Sequence, residues 1–384
     1  MTPLFLGCAS LMLGPTTPPA MLSPKVDDPA LCFVGRGDLA GRFEGSLPEV
    51  GISRRFGLAR AHGTLGLDLW GLGGARVLLA ATRSGGTTGY IGIDGESLVP
   101  KFLLAEARFT WQQAGFTVAA GLVDDPWVIT ANQAYGIREI APTVGQERGF
   151  FARSDLGVSL AWTSPLSIAT VHLAMLSGEG TDLRERNNGF NTTGMLTLRP
   201  LAPADLPRAL AVTVLARDGS RGVGSARDHR GALRVASELG PVRFGWEGMK
   251  AWGFAVDGER EPGATSVWAT LRDLGPALAS VRLDLYAEDL DAVQDTGSLT
   301  ARVAGGVVLP PLGDLKPIEV LVGWEGRQYA DAVAPLAGAE SLTSSHTFFV
   351  QLGFLADFSL RVAGPPTATV VAPGPESPDP GVSP

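Results

Sequence analysis

Cysteine, lysine and histidine are all scarce in this chain of 384 residues. Only Cys8 and Cys32 carry thiols, and only four of the 31 basic residues are lysines. Two cysteines this far apart build neither a disulfide framework nor a metal motif. The four histidines, His62, His172, His229 and His346, are scattered and show no metal-ligand spacing. Ser167 and Thr170 lie near His172, but no serine-histidine-carboxylate grouping assembles around it. No catalytic, cofactor or metal site is therefore read from the chain, and a barrel esterase or protease stays a lesser alternative. Long apolar runs are missing too. Although 45% of residues are apolar, no stretch reaches the ~18 that a membrane helix needs. Any crossing of a membrane must then be made by strands. A net charge of -8 argues against nucleic acid as the main partner.

Glycine, by contrast, is abundant. Its 50 residues are roughly 13% of the chain against a usual ~7%. Each would penalise a helix by ~1 kcal/mol relative to alanine, whereas turns and bulges between strands accept it. The opening MTPLFLGCASLMLG followed by PTTPPA reads as a secretory signal over 1–20, cut near Ala20, although its start carries no positive charge. Cys32 is then the one cysteine left in the mature chain.

The decisive pattern is alternation with period two. Leu103, Ala105, Ala107, Phe109 and Trp111 oppose Leu104, Glu106, Arg108 and Thr110. Val281, Leu283, Leu285 and Ala287 oppose Arg282, Asp284, Tyr286 and Glu288. Extended along the chain, this predicts sixteen strands, with 14 to 18 as the range: 41–52, 58–70, 75–83, 101–111, 115–122, 154–162, 167–175, 192–199, 209–217, 231–239, 241–257, 265–272, 280–288, 298–308, 317–325 and 346–363. The first is the weakest, because Pro48 interrupts it. Links alternate between short, such as 71–74 and 112–114, and long, such as 84–100 and 123–153. Short periplasmic turns opposite long extracellular loops mark an all-β, closed antiparallel transmembrane barrel of a bacterial outer membrane.

A large soluble all-β protein would also alternate. Against it stand the short-long order of links, the glycine, alanine and threonine on the charged face, and Trp111, Trp162 and Trp324 near strand ends. A sheet in lipid must close, and sixteen strands enclose a water-filled lumen. Glu106, Arg108, Arg153, Asp155, Arg234, Glu238, Arg243, Glu247, Arg282, Asp284, Glu288, Arg302, Glu319 and Arg361 are placed on that inner wall. For each, bracing and solvating the wall is the plainer role. Asp124 and Asp125 before Pro126 suit a solvated turn better than a divalent-ion site.

The barrel layout, and above all Arg148-Gly-Phe-Phe-Ala-Arg-Ser-Asp-Leu-Gly-Val-Ser-Leu-Ala-Trp162, resembles sixteen-stranded bacterial porins of the phosphate-selective class and their distant relatives. The resemblance implies a trimeric diffusion channel with an inward-folded loop, and it sends Arg153 and Asp155 into the lumen. The chain departs from that pattern at its end. Val362 and Ala363 stand where a terminal aromatic is usual, and 364–384 holds seven prolines. That tail is expected to be a disordered periplasmic extension, and 21–40 a periplasmic segment preceding a barrel over 41–363.

These readings give a porin-like channel for small hydrophilic solutes or ions, not an enzyme, needing no cofactor. Its partners are outer-membrane lipid, the solutes and, by resemblance, two further copies in a homotrimer. The rival is a non-channel barrel used as a surface scaffold or adhesin. The long link 123–153 is too apolar for a solvated coil, with Trp127, Val128, Ile129, Tyr135, Ile137, Ile140 and Val144. It is expected to fold inward and carry Arg138, Glu139, Glu147 and Arg148 toward Arg108, Arg153 and Asp155, giving at most a weak anion preference. An outer lid is its competing role.

Overall fold

The computed structural model describes residues 30–48, 53–69, 73–83, 98–136, 141–178, 180, 189–204, 206, 208–219, 228–253, 261–290, 297–309, 318–329 and 344–363. The expected signal segment 1–20, the tail 364–384, Arg138, Glu139 and the side chain of Arg361 lie outside the described residues.

Sixteen strands follow one another: β1 (Ala30–Pro48), β2 (Ser53–Leu69), β3 (Gly73–Arg83), β4 (Leu98–Trp111), β5 (Phe116–Asp124), β6 (Ser154–Thr163), β7 (Ala169–Leu176) and β8 (Asn191–Leu198), then β9 (Ala211–Asp218), β10 (His229–Leu239), β11 (Val242–Trp252), β12 (Gly263–Leu274), β13 (Ala277–Ala287), β14 (Ser298–Leu309), β15 (Ile318–Tyr329) and β16 (Ser344–Ala363). Each pairs antiparallel with its neighbours in sequence, and β1 closes on β16 from Ala30↔Ala363 to Pro48↔Ser345. Closure leaves no edge with unpaired backbone groups.

The two faces are inverted relative to a soluble protein. On β6, Leu156 and Val158 are 61% and 49% exposed while Asp155 is buried. On β13, Val281, Leu283 and Leu285 point out, and Ser280, Arg282 and Asp284 are buried inside. Apolar side chains outward and ion pairs inward is stable where the outside is lipid. Most links at one end are short (70–72, 112–115, 164–168, 240–241, 275–276), with 199–210 and 310–317 longer, and most at the other are long (84–97, 125–153, 177–190, 219–228, 253–262, 288–297, 330–343). Gly240 and Gly275 open the two-residue turns with φ of +58° and +60°, a left-handed conformation that strains other L residues. Phe116 and Trp162 meet at the short-turn end with ring centroids 6.3 Å apart.

Several boundaries differ from the sequence reading, among them the start of β2 at Ser53 where 58 was expected. β1 begins at Ala30, inside the segment 21–40 expected to precede the barrel, and it ends at Pro48. Gly35, Gly37 and Gly41 interrupt its apolar alternation, which hid it. The long strand expected over 241–257 ends at Trp252, where Gly253 turns with φ of +78°. Trp324, read as a strand end, sits mid-strand because β15 continues to Tyr329, and its ring stacks on His346 at 5.8 Å.

Candidate functional site

The link between β5 and β6 is folded, not coiled. It contains α1 (Pro126–Tyr135) and the short α2 (Val144–Glu147). Proline at the first helical position costs no hydrogen bond, and Gly136 closes α1 in a left-handed conformation. Asp125 is the N-cap, accepting from Trp127 N at 2.9 Å and Val128 N at 3.4 Å.

An apolar seam holds this loop inside the barrel. Trp127, Val128, Ala131, Val144, Phe150 and Phe151 pack against Met195, Leu215, Ala232, Met249, Ala251 and Ala264, which come from β8 to β12. Contact is close: a Cβ at Gly145 would stand 3.0 Å from Met249 Sδ and 3.1 Å from Phe151 Cδ2. Small inward residues on those strands make room for the large rings of the loop. The seam is the lumen's largest apolar cluster among the described residues.

Around the seam, wall arginines clamp the loop's polar groups. Arg217 of β9 donates to the Asp125 carboxylate. Arg234 of β10 donates to Thr130 Oγ1 at 2.7 Å and lies over the Trp127 ring at 4.6 Å. Arg272 donates to the carbonyl of Gly136, and Arg282 to that of Pro142 at 2.7 Å. Three guanidiniums then converge on one carboxylate. Glu147 Oε1 accepts from Arg302 at 2.7 Å and Arg327 at 2.9 Å, and Oε2 accepts from Arg282 at 3.2 Å. Burial alone would raise the Glu147 carboxyl, but Arg302, Arg282 and Arg327 hold it below the usual carboxylate range.

The charges balance locally. The three arginines around Glu147 also contact Asp284 and Glu325, which makes three cations and three anions in one cluster. A second cluster lies on the wall formed by β3 to β5. Arg76 reaches Glu106 at 3.1 Å and Asp124 at 2.6 Å, and Arg108 reaches Glu106 at 2.6 Å, giving two of each sign. Arg243 pairs with Glu238 at 3.1 Å.

Several expected placements are corrected by this geometry. Glu147 goes to β13, β14 and β15. Arg148 donates to Ser298 at 2.8 Å and lies over Tyr286 at 4.6 Å. The seam carries this end of the loop to the wall of β13 to β15, away from the expected partner Arg108, which pairs with Glu106. Asp155 ties β6 to the end of β7, accepting from the Ser177 hydroxyl at 2.5 Å and from Gly178 N at 2.7 Å. Arg153 lies half-buried at the loop's return to β6. Asp124 and Asp125 form neither a solvated turn nor a metal site, since arginines take both. Among the described residues no group of three histidine, cysteine, aspartate or glutamate side chains could hold a metal ion. Sequence reasoning missed Arg76, Arg217, Arg327 and Glu325. Their inward parity was readable, but the partners lie up to 180 residues away.

No protein-family model matches the chain, and no curated protein matches its sequence. Solved structures do match its fold. An in vitro folded OmpT, an outer membrane protein of Vibrio cholerae in trimer form, is 10% identical with a TM-score of 0.56, over 85% of this chain and 99% of that one. The anion-selective porin from Comamonas acidovorans is 14% identical with a TM-score of 0.56, over 85% and 100%. Salmonella typhi OmpF, in complex with daunomycin, is 11% identical with a TM-score of 0.57, over 86% and 98%. The fold is that of outer-membrane porins, and the barrel belongs in the bacterial outer membrane.

Proposed function

From this porin fold in the outer membrane, we propose that the chain is a passive channel for small hydrophilic solutes or ions, without catalytic activity. The carrying observation is the loop 125–153 folded into the lumen and pinned there by the Arg282, Arg302 and Arg327 contacts to Glu147. Such a loop narrows the passage, its first helix lying beside the wall that carries Glu106 and Arg108 and its far end against β13 to β15. Weak, spread-out polar contacts suit permeation, because a solute must leave as readily as it enters.

Local charge balance supports weak selectivity, with at most a slight preference for anions. Neutral clusters steer neither sign strongly, whereas an unbalanced constriction would. Assembly as a homotrimer belongs to this reading, in line with the trimer form of the Vibrio cholerae protein. The short turns would then face the periplasm and the long loops the exterior.

The test is single-channel recording of the pure refolded chain in a planar bilayer. Stepwise currents with a reversal potential near zero in a potassium chloride gradient are expected. Absence of current from protein with heat-modifiable gel mobility would favour a plugged scaffold or adhesin instead.

A further inference from the structure

The barrel's outer wall carries a recess that the channel reading leaves unused. It has a volume of about 900 Å³ and extends from Val214 on β9 to Gln328 on β15, at the long-loop ends of those strands. That places it at the upper end of the ~300–1,000 Å³ usual for ligand sites. Its floor exists because outward positions that elsewhere hold leucine or valine are glycine here, at Gly231, Gly248 and Gly263. Two side chains fold over that floor as walls. A Cβ at Gly231 would meet the Trp252 ring at 3.5 Å, and one at Gly263 would come within 2.8 Å of Leu290 Cδ1. The lining is mainly apolar, with Lys250 at the upper edge. Its Nζ lies 2.6 Å from Glu261 Oε2 and 5.3 Å from the centroid of the Trp252 ring.

We propose that this recess seats an anionic lipid of the outer leaflet, its acyl chain along the glycine floor and its phosphate taking the place of the Glu261 carboxylate on Lys250. The recess opens on the face that the outer membrane covers, so acyl chains are the surrounding solvent. A flexible chain conforms to a shallow trough more readily than a folded surface does. Lysine and tryptophan together at a strand end suit the headgroup level, where a cation and an amphipathic ring meet phosphate and water. Lys250 is also one of only four lysines in the chain.

Native mass spectrometry of the full chain, refolded in detergent, tests this with dipalmitoylphosphatidylglycerol and dipalmitoylphosphatidylcholine as probes. Wild type is expected to retain the phosphatidylglycerol several-fold better. Lys250→Gln should abolish that difference, and Thr265→Trp, which fills the floor, should lower retention of both lipids. Gly231→Leu fills the same floor from β10 and serves if Thr265→Trp does not reach the heat-modifiable folded form. Unchanged retention in a folded filled variant would overturn the proposal. So would loss of an oligomeric mass with lipid retention intact, which would assign the recess to a second copy of the chain.

Discussion

Arg217 on β9 reaches inward to the carboxylate of Asp125, the residue that also caps the first turn of α1. Both side chains are almost wholly buried. One contact therefore fixes the start of the inward loop and the direction of its first helix.

Removing that carboxylate should cost on two counts. Asp125→Ala loses a helix cap, about 1 kcal/mol, and strands a buried guanidinium, about 3 kcal/mol. Asp125→Asn keeps an acceptor for Trp127 N and should cost less. The ordering is checked by urea unfolding of the refolded barrel, followed through tryptophan fluorescence. Equal losses in the two variants would show that the ion pair with Arg217 carries the whole effect and the cap hydrogen bond adds nothing.

The three arginines around Glu147 set the acid limit of the loop. Its carboxyl is held below the usual range, so the stabilisation is complete above the unfolded carboxylate value of about 4.3 and lost as pH falls through the lower folded one. Channel conductance should thus stay level from pH 7 to pH 5 and change only below about pH 4. Glu147→Gln should remove that acid step. It also leaves its cluster one positive charge in excess, so reversal potential should shift toward anions at pH 7.

Trp127 is the largest fully buried side chain of the loop. Trp127→Ala should weaken the seam by about 3 kcal/mol, through lost transfer energy and the cavity left behind. The barrel's own hydrogen-bond ladder is untouched. The expected result is a folded, heat-modifiable protein with noisier and larger single-channel currents. A normal current trace would mean that the arginine contacts alone hold the loop.

At the turn between β10 and β11, nothing lies within 4 Å of a Cβ built on Gly240, so only its φ of +58° resists substitution. Gly240→Ala should destabilise by about 1 kcal/mol, and Gly240→Asn by less, since asparagine enters the left-handed region more readily. Refolding yields in detergent, compared side by side, would show that order.

The strand count, the closed antiparallel order and the inward or outward parity of most residues were determined by the sequence, because side chains on a strand alternate strictly and lipid demands one apolar face. Arg282, Asp284 and Arg302 were readable as inner-wall residues for that reason. Where alternation is diluted the reading failed, as at Gly35 and Gly37 in β1 and at Gly326 in β15. Tertiary structure alone decided what those inner charges do. The apolar character of 123–153 implied that it packs somewhere, but its direction depends on which wall has small residues facing inward, and Ala232, Ala251 and Ala264 come from three separate strands. That choice took Glu147 to Arg282, Arg302 and Arg327 and left Arg108 to Glu106. Partners 135 to 180 residues apart are brought together by barrel closure, which no local pattern encodes.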